Sequence, residues 1–143
     1  MNAQSIHFQT IARRNRRRTR KGVAAVELAF VLPVLLVLVF GTIEICQRIF
    51  LRQSLVIAAY EGARLGARRN TTNAQVIDRC NTILQQRNVR GGSVTVTPAN
   101  ILSIATGEAI TISVTAPWAS NSPTRFVISD QGNLSVQAVM LRE

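Results

Sequence analysis

From Val23 to Ile45 the chain is an almost unbroken apolar run of 23 residues, with Glu27 near its start and Glu44 beside its end. At 1.5 Å per residue a helix of that length spans the roughly 30 Å of a bilayer core. Beyond Ile45 the pattern turns amphipathic. Ile49, Val56, Tyr60, Ala63 and Ala67 recur at three- and four-residue steps, with Arg48, Arg52, Glu61, Arg64 and Arg68 mostly elsewhere, which predicts that the helix leaves the membrane and runs on to about Arg69. Pro33 removes one backbone donor inside the run and predicts a kink in the membrane helix. Ala58, Gly62 and Gly66 form a stripe of small residues at four-residue spacing, suited either to packing on the protein's own sheet or to contact with another subunit.

Asn70-Thr71-Thr72 breaks this pattern, and Thr72-x-x-Gln75 reads as a capping box for a second helix. Val76, Ile77, Cys80, Ile83 and Leu84 give that helix an apolar face, ending near Asn88 before Gly91-Gly92. Three alternating segments follow, around Val94 and Val96, Ile110 to Val114, and Leu134 to Met140. Each has one face to bury, so the predicted fold is α+β: a long N-terminal membrane-spanning helix continuing outside the bilayer, a second short helix, and a small antiparallel sheet. The link from Pro117 to Gly132, with Trp118, Pro123 and Phe126, reads as an ordered surface loop.

Charge changes the picture through its distribution. The formal +10 includes Arg13, Arg14, Arg16, Arg17, Arg18, Arg20 and Lys21, seven cations before Gly22 with no acid among them; beyond Gly22 ten Arg face seven acids, which gives +3. A basic leader beside an apolar helix predicts a cytoplasmic N-terminus and a C-terminal domain on the far side. Without interleaved aromatic residues other than Phe8, the same cluster argues only weakly for nucleic acid. The run is longer than the 7–15 residues of a secretory h-region, and Gly41-Thr42-Ile43-Glu44-Ile45-Cys46 offers no Ala-x-Ala site, so the segment is expected to be retained. The expected organisation is a leader over 1–22, a transmembrane helix over 23–45 and an extracytoplasmic domain over 46–143.

A carboxylate in hydrocarbon costs several kcal/mol, so Glu27 calls for a partner. It is the fifth residue after Gly22, and a cut after Gly22 creates a new ammonium on Val23 about one helical turn away. Such a cut also removes the chain's one His and one Lys, His7 and Lys21, and with them the commonest general base and the Ser-His and Ser-Lys pairs. Glu108 and Asp130 are the remaining acids to weigh for paired catalysis, and their loop-end positions read as solvated turns. An enzyme, a metal and a cofactor are therefore not expected. Cys46 and Cys80 fall too far apart along a helical hairpin to pair.

Arg20-Lys-Gly-Val-Ala-Ala-Val-Glu-Leu-Ala-Phe-Val-Leu-Pro, then Gly41-Thr-Ile-Glu, then Ala58-Ala-Tyr-Glu-Gly-Ala-Arg together resemble the N-terminal region of TadE-like pseudopilins, over about residues 20–70. The resemblance implies a minor component of the tight-adherence, or Flp, type IV pilus machinery, cleaved between Gly22 and Val23 by a prepilin peptidase, with Glu27 as the assembly carboxylate. It implies other pilins and the assembly platform as partners, and the bacterial inner membrane as location. Leu28 stands where small major Flp pilins usually have Tyr, and those pilins lack a sizeable C-terminal domain, so a minor subunit is favoured over the fibre subunit. The alternatives are an uncleaved membrane-anchored envelope scaffold and a membrane-tethered nucleic-acid-binding protein.

Overall fold

The computed structural model describes the backbone of residues 4–122 and 132–143 and the side chains of 22–122 and 132–143. Residues 123–131, which include Pro123, Phe126 and Asp130, lie outside the described residues, as do the side chains of the Arg-rich leader. The chain divides into two compact units, Met1–Phe40 and Gly41–Glu143. In order come α1 (Gln4–Gly66), α2 (Asn73–Gln86), β1 (Ser93–Thr97), a 3₁₀ turn (Ile101–Ser103), β2 (Ala109–Pro117), the single turn α3 (Trp118–Asn121) and β3 (Asn133–Leu141). The fold is α+β.

The described side chains of the first unit are nearly all exposed, from Val23 through Val39. Pro33 lies inside α1. Among the described residues one helical stretch, Gly22–Gly66, is long and apolar enough to cross a membrane.

The second unit holds the core. The end of α1 contributes Leu51, Leu55, Ala58, Ala59 and Ala63; α2 contributes Val76, Cys80, Ile83 and Leu84; the sheet contributes Val96, Ile110, Ile112, Val114 and Ala116. This corrects the expected face of α1 in part: Ala63 and Ala67 are buried, but Ile49, Val56 and Tyr60 are about half exposed, at 51%, 43% and 52%. The helix carries apolar residues on both sides here, and the side with Leu51, Leu55 and the small residues is the one that α2 and the sheet cover. α1 also stops at Gly66 rather than Arg69, because Asn70 takes a left-handed conformation at φ 61° and turns the chain toward α2.

At α2 the capping box is formed as expected: the Thr72 side chain accepts from the Gln75 amide at 3.3 Å, and the Thr72 amide donates to Gln75 Oε1 at 3.0 Å. The sheet is antiparallel with order β1-β2-β3. Its register stacks Val94, Val114 and Val136 in one row and Val96, Ile112 and Ala138 in the next. Central β2 buries every second residue completely, whereas the same face of edge strand β3 is only half-buried. The opposite face carries Thr, Ser and Gln together with the exposed Val139 and Leu141, and there Thr115 Oγ1 donates to Ser135 Oγ at 3.0 Å. The chain end is tied back to the core: the Glu143 amide donates to the Ala67 carbonyl at 2.9 Å, and buried Arg142 donates to the Ile101 carbonyl.

Candidate functional site

Gly22, Val23 and Glu27 all lie on α1. A side chain built at Gly22 would meet nothing within 4 Å. Val23 is 67% exposed, and Glu27 is exposed with no ion-pair partner among the described residues. Their four-residue separation puts Val23 and Glu27 on one face, about 6 Å apart along the axis. Glycine is the poorest helix former after proline, by about 1 kcal/mol against alanine, so the backbone at Gly22 is the easiest point at which to draw this stretch out of the helix.

The small-residue stripe sits in the second unit. Ala58 is fully buried, and its carbonyl accepts a hydrogen bond from the Cys80 thiol at 3.3 Å. A Cβ at Gly62 would overlap Cys80 Sγ, and one at Gly66 would touch Val76 and Ile110 at 3.4 and 3.7 Å. These three residues therefore let α2 and β2 approach α1 closely. Burial pushes the Cys80 thiol up from 9.0 to about 11. Cys46, by contrast, is exposed, and both cysteines are free.

Three features escaped the sequence reading. Glu44 is completely buried and engaged by neighbouring groups; its signal was its position seven residues before Leu51, on the side of α1 that faces the core. Trp118, assigned by sequence to a surface loop, is 1% exposed and opens α3 directly after β2. Its Nε1–H is buried with no hydrogen-bond partner among the described residues, and the Arg48 guanidinium lies 5.8 Å from its ring centroid, in cation–π range. Third, α1 and the start of β3 enclose a cleft of about 400 Å³ that includes Arg48 and Arg52. Glu108 uses its carboxylate to brace its own turn, accepting from the Ala105 amide at 3.1 Å, while Asp130 lies outside the described residues.

A family model described as TadE-like protein matches residues 22–64. No curated protein and no solved structure matches the chain. The match begins at Gly22 and covers Val23, Glu27, Pro33, Ala58 and Gly62, leaving the second helix and the whole sheet beyond it. Residues 22–64, which hold the exposed Gly22, the exposed Glu27 and the first two-thirds of the small-residue stripe, are the part of this chain that is similar to the TadE-like family.

Proposed function

We propose that the protein is a minor pseudopilin of a tight-adherence (Flp) type IV pilus, a non-enzymatic subunit that helps assemble, prime or cap a surface filament used in adhesion. One observation carries this reading. An open glycine stands five residues before a lone exposed carboxylate at the head of a membrane-length apolar helix, within the segment that matches the TadE-like family. The seven cations before Gly22 hold the leader in the cytoplasm, so a prepilin peptidase acts at the inner face of the inner membrane and the domain over 46–143 lies outside the cytoplasm. Cleavage frees the Val23 ammonium, and Glu27 of one subunit pairs with that of a neighbour among the pilins docked on the assembly platform.

Processing tests this directly. Mass spectrometry of the chain made with its peptidase should show a mature N-terminus at Val23. Gly22→Leu, which puts a bulky side chain at the cut without crowding the helix, should accumulate as the full-length form. An intact leader in the unmodified protein would point instead to an uncleaved membrane-anchored scaffold.

A further inference from the structure

The cleft between α1 and β3 is built from both kinds of surface. Ile45, Arg48, Ile49 and Arg52 stand at steps of three, one and three residues on one face of α1, and Ser135 and Val136 close the far wall. Its volume of about 400 Å³ holds a small amphipathic group rather than a peptide strand. The polar side is cationic: two guanidiniums one turn apart. Arg48 is fixed over the Trp118 ring, whereas Arg52 is exposed and has no ion-pair partner among the described residues. Guanidinium forks match phosphate oxygens in pairs, and a tetrahedral phosphate bridging two such groups leaves its ester substituents against Ile45, Ile49 and Val136.

Position supplies the second line of argument, and it rests on the reading of 23–45 as a membrane span. Ile45 closes the apolar run. Arg48 and Arg52 follow by about 5 and 10 Å along the helix axis. The headgroup layer occupies roughly 5–8 Å on each side of the hydrocarbon core. The Arg48 level of the cleft therefore falls at the depth of the lipid phosphates, with Arg52 one turn farther out. We propose that it binds the phosphate headgroup of an anionic phospholipid of the membrane that α1 crosses, with the lipid's glycerol end on the isoleucines. Lipid bound there ties the domain to the bilayer surface.

The full chain in maltoside micelles offers a direct test, because Trp118 is its one tryptophan and sits beneath Arg48. Short-chain phosphatidylglycerol, titrated while Trp118 emission is followed, should bind more tightly than phosphatidylcholine, whose choline cation competes with the arginines. Arg52→Gln should weaken phosphatidylglycerol binding about tenfold, the loss expected of one charge-assisted hydrogen bond. Arg87→Gln, an exposed arginine remote from the cleft in sequence and not part of its lining, should leave binding unchanged. Equal effects of the two substitutions would reduce the site to general surface charge and overturn the proposal, as would inorganic phosphate displacing the lipid at equal concentration. Flotation with phosphatidylcholine vesicles separates this from the anchoring on which it rests. A chain that floats but shows no Arg52-dependent preference refutes the lipid site alone, whereas one that does not float refutes the membrane span and the site together.

Discussion

At Gly62 a single methyl group decides how α1 meets α2. A Cβ there would overlap Cys80 Sγ, with Ile112 and Val76 at 3.5 and 3.6 Å behind it, and Cys80 is held in place by its bond to the Ala58 carbonyl. Alanine gains about 1 kcal/mol of helix propensity, but overpacking costs about 1–3 kcal/mol. Gly62→Ala should thus destabilise the protein by about 1 kcal/mol net in urea unfolding. Cys80→Ala removes the obstructing sulfur, so the double variant should cost clearly less than the sum of the two single ones. The same thiol gives a pH signature. Its folded value is raised from 9.0 to about 11, so the unfolded chain loses this proton first; the stability it contributes is complete below pH 9 and is lost as pH rises through about 11. Cys80→Ala should remove that part of the alkaline loss in thermal melts taken across this window. The spacing of Ala58, Gly62 and Gly66 was legible in the sequence as a close-packing stripe. That α2 and β2 fill it was not, because the contact joins residues separated by tens of positions.

Among the elements, local signals were read correctly and non-local ones were not. The capping box of α2 lies within four residues, and its chemistry is complete in Thr72 and Gln75. Thr72→Ala should cost about 1 kcal/mol, visible as faster hydrogen exchange at Gln75, whose amide loses its acceptor, and in the first turn of α2. The three strands were legible because alternation is a property of each strand alone, and they form with Val and Ile on one face as expected. The face of α1 was misread because Ile49, Val56 and Tyr60 satisfy a helical period as well as Leu51, Leu55 and Ala58 do. Only the position of the sheet decides which set is buried. Trp118 failed for a related reason: its neighbours Pro117 and Ser120 to Ser122 have loop composition, while its ring fills the core at the end of β2. The cleft beside β3 needs residues 45–52 and 134–136 brought together, and no pattern within either segment announces it.

On the scale of the whole molecule, Glu27 is the residue that a single chain leaves unsatisfied. It is exposed on α1 among side chains that are exposed and apolar, and no cation stands beside it among the described residues. In hydrocarbon an ionised carboxylate there costs several kcal/mol unless a cation partners it. The Val23 ammonium of a neighbouring subunit fits this role better than the chain's own, because the start of the shortened helix has its own unpaired amide donors that compete for the same carboxylate. On the proposed function, a pair between chains would also fix the axial stagger of adjacent helices and make one charge a register mark for the filament. Glu27→Gln keeps the size and polarity of the side chain and removes the charge. The variant should insert in the membrane and be cut after Gly22 as the unmodified protein is, yet fail to co-purify with its pilus partners. Mature N-terminus and co-purification, measured on the same preparation, separate the two steps. Normal co-purification of a correctly processed Glu27→Gln chain would leave the carboxylate without a part in assembly, and the register would then have to come from the exposed residues of α1 alone.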